Sequence, residues 1–317
     1  MKILITGACG YHGSKLVPIL LNQNHKIIAV DTQWFGNYLK NHKNLKIIKK
    51  NILDLKKQDL KNIDTVIHLA SIANDPMGDL KQELTWEISC LATMKLMENA
   101  LSNNVSKIIY ASSASVYGLK KEKNVTENLS LEPISTYNKA KMIAERTILS
   151  FQDYINISII RPATVCGLSP RMRFDLSVNM LTYQAIKNKK INVFGGKQIR
   201  PNIHIDDLMN VYLFFLNNGN QYNGIFNAGF ENLSILKIAK TIQKIVDSKI
   251  HITKNVDDIR SYRIDSTKLL KLGFFPKKNI KNAINETNEY YKNKINKVQL
   301  NCFSLEWLKA NQSKVFK

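Results

Sequence analysis

Short runs of apolar, β-branched residues recur along the first half of the chain, each followed by a stretch whose apolar positions repeat with a helical period. KILIT leads into a glycine-rich turn, GACGYHG, and then into an apolar-periodic stretch from Ser14 to Leu21, the pattern of strand, turn and helix. HKIIAVD, LKIIKKN, DTVIHLA, VSKIIYASS and INISIIRP are further runs of this kind, and helices are predicted at Trp86 to Ser102 and Thr136 to Phe151. Near-continuous apolar strands alternating with helices predict an α/β fold around a parallel sheet buried on both faces. After Arg161 the alternation weakens, and helical stretches at Val178 to Asn188, Asp206 to Leu216, Ser234 to Val246 and Ile280 to Lys292 mix with short strands such as INVFG and GIFNAG. Two lobes follow from this pattern. Residues 1–165 form the first, with later segments returning to it, and residues 166–317 supply mainly a smaller mixed α/β lobe. The tail beyond Lys294 carries an apolar stripe through Phe303, Leu305, Trp307 and Leu308 to which the pattern assigns no task.

Composition sharpens the picture in three places. Four cysteines, Cys9, Cys90, Cys166 and Cys302, are far apart and form no CxxC pair or Cys/His cluster, so neither a metal site nor a disulfide framework is expected. The chain runs from Met1 directly into a strand, with no signal-peptide pattern and no apolar run near the roughly 20 residues of a membrane span, so a cytoplasmic protein without membrane insertion is expected. Lys+Arg 46 against Asp+Glu 25 give a net charge of +21, but the lysines are scattered without interleaved aromatics, and no nucleic-acid partner is expected. The arginines are more informative: there are only seven, and Arg161, Arg171, Arg173, Arg200, Arg260 and Arg263 all lie in the second half. A guanidinium suits phosphate oxygens, so this bias points to a phosphate-bearing ligand.

Gly7, Gly10 and Gly13 have the spacing GxxGxxG at the end of the first strand, where glycines permit a tight turn and let backbone approach a pyrophosphate at a helix N-terminus. Asp31 ends the second strand about 20 residues on, where a carboxylate accepts from both adenosine ribose hydroxyls and repels a 2′-phosphate. With no arginine nearby in the sequence, NAD is expected rather than NADP. Tyr137 and Lys141 form a YxxxK pair at the start of a helix, one turn apart on one face. An ammonium beside a phenol lowers its pKa and makes the tyrosine a usable general base. Ser113, in YASSASVYG after the fifth strand, completes a catalytic trio.

Together these residues resemble the extended short-chain dehydrogenases/reductases, the family of nucleotide-sugar epimerases and dehydratases, over nearly the whole chain. TGACGYHG is similar to TGxxGxxG, VIHLAS to the HLAA segment, SSASVYG to SSATVYG and YNKAK to YxxxK. In the second half, RPATVCG resembles RxxNVYG, VFGGKQIRPNIHIDD resembles VFGxGxQxRxxIHVDD, and DIRSYRIDSTKLLKLGFFP resembles DxRxYxxDxSKxxxxLGxxP. SPRMRFD, Ser169 to Asp175, is similar to a segment of bacterial surface-polysaccharide epimerases. The resemblance implies a Rossmann-type doubly wound sheet with a nucleotide-sugar-binding lobe and a homodimer through the two long helices. It implies that NAD is lined by Gly7, Gly10, Tyr11, His12, Gly13, Asp31, Asn51, Ile52, Leu69, Ala70, Ser71, Tyr137, Lys141 and Pro162. Tyr137 would take the proton of a sugar hydroxyl, Ser113 would hold that oxygen, and Lys141 would bind the nicotinamide ribose. Ser115, Asn179, Val193, Phe194, Arg200 and Arg260 would contact a nucleotide-diphosphate sugar, the two arginines on its pyrophosphate and Val193 and Phe194 on its base.

The departures select among activities. Ala114 and Ser115 stand where dehydratases carry an Asp-Glu pair, and Ser115 also replaces the glutamate of decarboxylating relatives, which disfavours both reactions. Asn51 and Ser89 replace an aspartate and an asparagine of the family's cofactor contacts, Cys166 replaces an aromatic and reads as a buried hydrophobe, and His12, His68 and His204 read as packing residues rather than catalysts. A nucleotide-sugar 4-epimerase is the leading expectation. A C4 dehydrogenase or 4-ketoreductase using the same residues is the alternative, and a non-catalytic NAD-binding or RNA-binding protein on the same scaffold ranks below both.

Overall fold

The computed structural model describes residues 1–218, 222–253 and 261–315. Six strands of the first half, β1 (Lys2–Thr6), β2 (Lys26–Asp31), β3 (Leu45–Lys49), β4 (Thr65–His68), β5 (Lys107–Ala111) and β6 (Asn156–Pro162), coincide with the apolar runs. Three of the next six, β7 (Thr164–Cys166), β9 (Ile199–His204) and β11 (Glu231–Ser234), make a small sheet of order β11-β9-β7, while β8 (Lys190–Phe194) pairs with β12 (Lys249–Thr253). The last, β10 (Gly224–Ala228), lies parallel to β6 at the edge of the main sheet, whose order is β10-β6-β5-β4-β1-β2-β3. Every pairing in that seven-stranded sheet is parallel. The strand order turns around at β1, which lies between β2 and β4, and in a doubly wound sheet the crevice beyond the carboxyl ends at that switch point is where ligands bind.

Alternation along the strands feeds two cores. On one face Ile3 and Ile5 pack with α1 (Gly13–Asn22). On the other, Leu4, Val66 and Ile108 meet a layer that follows α2 (Asp75–Leu80) and contains α3 (Gln82–Trp86), α4 (Ala92–Leu101) and α5 (Thr136–Leu149). A third core joins α6 (Ser177–Asn188) to the small-lobe strands. The returning helix, α7 (Ile205–Asn217), packs Leu208, Val211 and Phe215 on the α1 face of the main sheet, whereas α8 (Ile235–Gln243) stays in the small lobe. After α9 (Thr267–Lys271), helix α10 (Ile280–Tyr291) adds Ile280 and Ile284 to that lobe, and α11 (Ser304–Ala310) comes back to bury Leu308 in the core beneath α4 and α5.

Chain position 165 therefore does not divide the molecule, since β10, α7 and the tail all join the first lobe. Local patterning announces that GIFNAG is a strand, but its partner is β6, some 65 residues earlier in register Phe226 to Ile160. The expected helix from Trp86 is interrupted by a π-turn at Glu87–Leu91. Such turns widen a helix locally and are found disproportionately at functional sites.

Candidate active site

The turn after β1 is built to lie against the chain leaving β4. Gly7 has φ +69, and a Cβ there would come 2.7 Å from the Ala70 backbone nitrogen; a Cβ on Gly13 would come 2.5 Å from the Gly7 carbonyl oxygen. A side chain at Gly7 would push the turn off the chain leaving β4, and one at Gly13 would push α1 off the turn. Asp31, at the end of β2, accepts the Cys9 N–H at 3.0 Å and the Gln33 N–H at 2.6 Å, so it ties the turn to the second strand. Burial raises its pKa, opposed by these two backbone bonds and by the field of Arg171.

His68, at the end of β4, fixes the other wall. Thr93 Oγ1 donates to the Ser89 carbonyl at 2.7 Å, so at 3.0 Å it accepts from His68 Nε2, and His68 Nδ1 must accept from Thr6 Oγ1 at 2.6 Å. Thr6 Oγ1 in turn accepts the Ala70 N–H at 3.3 Å. The neutral ring thus joins β1, the cavity wall and the π-turn, and burial depresses its pKa to about 3. His12 is half-buried beside Tyr212 and is likewise pushed to about 3 by desolvation, then by Arg173 and Lys141. Because these folded-state values lie below the ordinary 6.5, the stability they reflect is fully present above pH 6.5 and is lost as pH falls from there toward 3. Urea denaturation of wild type between pH 6 and 4 is expected to lose about 1.4 kcal/mol per pH unit for each such group. His68→Asn should be less stable but show a slope shallower by one proton; an unchanged slope contradicts the neutral assignment.

These walls enclose a cavity at the switch point lined by Gly7, Gly10, Tyr11, His12, Asp31, Asn51, Ile52, Leu69, Ala70, Ser71, Tyr137 and Lys141. Gly13 and Pro162, expected at the cofactor, are set back from it: Gly13 packs against the turn, and Pro162 pairs with Ala228 in the sheet. Ser71 Oγ lies 3.2 Å from Ser89 Oγ in the π-turn, so the serine replacing the family's asparagine still supports this wall. Two buried polar atoms of lining residues, Ser112 Oγ and Arg171 Nε, have no protein partner. Unpaired polar groups in residues that line a cavity suit a polar ligand such as a dinucleotide.

Ser135 caps α5 by accepting from the Asn138 N–H, which starts the helix so that Tyr137 and Lys141 lie one turn apart at the cavity. Tyr137 bonds to Ser113, and burial raises its pKa to about 12, with Ser113 and Arg173 pulling it down and Asp75 pushing it up. Lys141 Nζ donates to the Ala111 carbonyl at 2.7 Å, and burial lowers its pKa to about 7. The sequence expectation that Lys141 lowers Tyr137 is not met in this arrangement, because the ammonium is turned to a carbonyl and each charge alone suffers desolvation. Formed together, phenolate and ammonium would offset one another's burial.

A hydroxyl chain sets the direction of the Ser113 proton. Ser115 Oγ donates to Asn138 Oδ1, so in this arrangement Ser113 donates to Ser115 at 2.7 Å and accepts the Ser115 N–H. Asn138 Nδ2 then donates to Asp75 at 2.9 Å, and Ser135 Oγ donates to the same oxygen.

A parallel sheet, a glycine turn, an acidic residue closing β2 and a Tyr-Lys pair in one cavity, with Ser113 bonded to the tyrosine outside the cavity lining, have counterparts among known proteins. Residues 3–229 match the model of the NAD dependent epimerase/dehydratase family. The chain belongs to that family. An uncharacterized UDP-glucose epimerase, YtcB, of Bacillus subtilis is 32% identical over 267 residues, 78% of this chain and 83% of that protein. UDP-glucuronic acid decarboxylase 1 of Danio rerio is 26% identical over 92% of this chain and 72% of its own length. The structure of UDP-glucuronic acid 4-epimerase from Bacillus cereus, in complex with UDP-glucuronic acid and NAD, superposes with TM-score 0.80 at 27% identity, covering 92% of this chain and 99% of that one. This chain is accordingly an NAD-dependent enzyme of nucleotide-sugar chemistry.

In this epimerase/dehydratase chain the residues expected to contact substrate are dispersed. Asn179 is 1% exposed; its Oδ1 accepts the Gly167 N–H and its Nδ2 donates to Tyr11 Oη and the Arg173 carbonyl, so it braces the turn instead of presenting itself to a ligand. Val193 is fully buried in the small-lobe core, and alternation along β8 leaves Phe194 exposed. Arg200, on β9, donates to the Ile199 carbonyl at 3.2 Å and is not part of the cavity wall. Arg260 lies outside the described residues. Ser115 faces Asn138, as above. The arginine bias itself divides: Arg161 is a buried partner of Glu145, Arg173 of Asp175, and Arg171 alone of these three is without a carboxylate partner among the described residues. His204, Asp206 and Glu286 have potential ligand atoms within 4.8 Å of one another, but Lys278 Nζ bridges the two carboxylates at 2.7 and 2.6 Å.

Sequence reasoning missed Ser112, Phe35, Arg171, Arg173 and Ser304 as lining residues. RMRFD carried a signal for Arg173, whose Nε and Nη2 grip Asp175 two residues on at 2.9 and 3.0 Å. Nothing local announces that Ser304 reaches this cavity.

Proposed function

We propose that this enzyme is a nucleotide-diphosphate-sugar 4-epimerase. The observation that carries the reading is the Tyr137–Ser113 couple at a dinucleotide cavity with Ala114 and Ser115 immediately following, Ser115 turned away to Asn138. No carboxylic acid stands there to protonate a departing C6 hydroxyl. Asp75, whose field reaches Tyr137, holds Ser135 and Asn138 with one oxygen.

Bound NAD supplies a hydride acceptor that can return what it takes. Tyr137 removes the proton of the C4 hydroxyl as the C4–H leaves as hydride, Ser113 holds the oxygen, and Lys141 offsets the phenolate. After the 4-keto sugar has presented its other face, Tyr137 returns the proton and the C4–H bond re-forms with inverted configuration, so no net oxidation results. A C4 dehydrogenase or ketoreductase would use the same residues with net redox change. The relatives' names make UDP-sugars the first substrates to try. Run in D2O, the epimerase reaction is expected to leave product carbons free of deuterium, because hydrogen is returned to C4 from where it came. Deuterium at C5 would mark elimination chemistry, and turnover only with stoichiometric NAD or NADH would mark a dehydrogenase or reductase; either result overturns the proposal.

The setting we propose is a cytoplasmic homodimer. Among the described residues no helix is long and apolar enough to cross a membrane. Trp86, Leu91, Met94, Leu101 and Ile143 are large, exposed hydrophobics on the helical layer from α3 to α5, the surface on which a four-helix interface would form. Leu91→Glu with Met94→Glu should halve the mass measured by light scattering; an unchanged mass would place any interface elsewhere.

A further inference from the structure

The SPRMR segment is bound to the glycine turn at several points. Tyr11 Oη donates to the Gly167 carbonyl at 2.6 Å, Lys15 Nζ to the Leu168 carbonyl at 2.9 Å and Ser169 Oγ to the Tyr11 carbonyl at 2.7 Å. The Arg171 N–H donates to Ser14 Oγ at 3.2 Å, in the first turn of α1. The Arg171 backbone is thereby anchored beside the N-terminus of α1, where backbone N–H groups and the helix dipole favour a phosphate.

Its side chain is a buried cation with no ion-pair partner among the described residues, although the charges of Asp175 and Asp31 act on it. Arg171 is 2% exposed and lines the cavity. Its guanidinium stacks on Phe35, 4.2 Å from the ring centroid, Nη2 donates to Ser304 Oγ at 2.8 Å, and Nε has no partner. Asp175 is held in a two-point grip by Arg173, whose own positive charge opposes that of Arg171. Burial, followed by Arg173, lowers the Arg171 pKa to about 10. Isolating a guanidinium in a cavity wall with one hydroxyl and one ring is costly unless an anion joins it.

We infer that Arg171 binds the diphosphate of the dinucleotide and that the carboxyl-terminal tail holds it there. The inference rests on the cavity being the cofactor site, not on the reaction proposed above. Asp31, at the ribose end, excludes a 2′-phosphate as the anion. The tail's place in the assembly is built from several contacts: Ser304 reaches Arg171, Asn301 Nδ2 donates to the Phe35 carbonyl at 2.9 Å and Tyr38 Oη at 2.8 Å, and Trp307 packs on Phe35 with centroids 4.9 Å apart. The apolar stripe without a task thus secures the ring on which the guanidinium lies.

The test is calorimetric binding of ADP, adenosine and UDP to the full-length chain freed of nucleotide, with NAD carried through purification measured separately. Arg171→Gln should weaken ADP about 10- to 100-fold, the loss of charged hydrogen bonds, while leaving adenosine and UDP within about threefold of wild type. NAD retained on purification should fall in parallel, and Ser304→Ala should show a smaller loss of the same pattern. Unchanged ADP affinity overturns the inference. So does an equal loss of ADP and adenosine, which would make Arg171 a support of cavity shape, and so does a loss confined to UDP, which would place the anion on the substrate. Should Arg171→Gln not fold, Arg171→Lys keeps the charge and most of the packing, and the same comparison of ADP with adenosine applies. Because no sugar is turned over, failure of the 4-epimerase reading would leave these outcomes untouched.

Discussion

Tyr137→Phe is expected to lower kcat by roughly 100- to 10,000-fold, the usual worth of a positioned general acid–base, while the purified protein still carries NAD. The variant deletes only the hydroxyl oxygen that bonds Ser113. It leaves the ring, the α5 cap at Ser135 and the Lys141 bond to Ala111 in place, so stability should change by no more than about 1 kcal/mol. Lys141→Ala is the contrasting case. It removes a cavity-lining cation, so bound NAD and kcat should fall together. Turnover by Tyr137→Phe at the wild-type rate would remove Tyr137 from the mechanism, and loss of NAD by that variant would show that the phenol serves binding.

The largest expected effect on folding lies beneath the site. Arg161 Nε and Nη2 donate to the two oxygens of Glu145 at 2.9 and 2.6 Å, both residues are at most 2% exposed, and Nη1 donates to Tyr117 Oη at 2.8 Å. Tyr117 Oη donates to Asn227 Oδ1 on β10 at 2.8 Å, so one guanidinium connects α5, β6 and the returning edge strand. Arg161→Met would strand the Glu145 carboxylate in the core, at a cost of about 3–5 kcal/mol in urea denaturation. The double variant Arg161→Met with Glu145→Gln should recover much of that loss, since it leaves no charge unpaired. Glu145 lies one turn beyond Lys141 and raises its pKa, so the single variant should also disturb the site. A loss below about 1 kcal/mol would mean that the pair contributes as little as a surface one.

What was legible in the sequence is what local physics encodes. Strand, glycine turn and helix follow one another within the first 22 residues, Asp31 closes the next strand, and one helical turn suffices to bring Tyr137 and Lys141 to one cavity. What was not legible depends on partners distant in the chain. Arg161 looked like a phosphate ligand because its carboxylate sits on another element, and Arg171 looked remote from Asp31 although its field reaches that carboxylate. Asn179 and Val193 belong to motifs that line substrate in the resemblance, yet saturated hydrogen bonds and strand alternation direct them inward. The tail's apolar stripe gave no hint of its destination, because a stripe specifies that a face is covered and not by what.

The central claim is 4-epimerisation, and proton NMR of a panel of nucleotide sugars incubated with a small amount of enzyme and no added cofactor tests it most directly. One sugar is expected to equilibrate with its C4 epimer, with no accumulation of an oxidised or reduced product. Failure of every sugar to epimerise until NAD or NADH is added in stoichiometric amounts, or formation of a dehydrated or decarboxylated product, would contradict it.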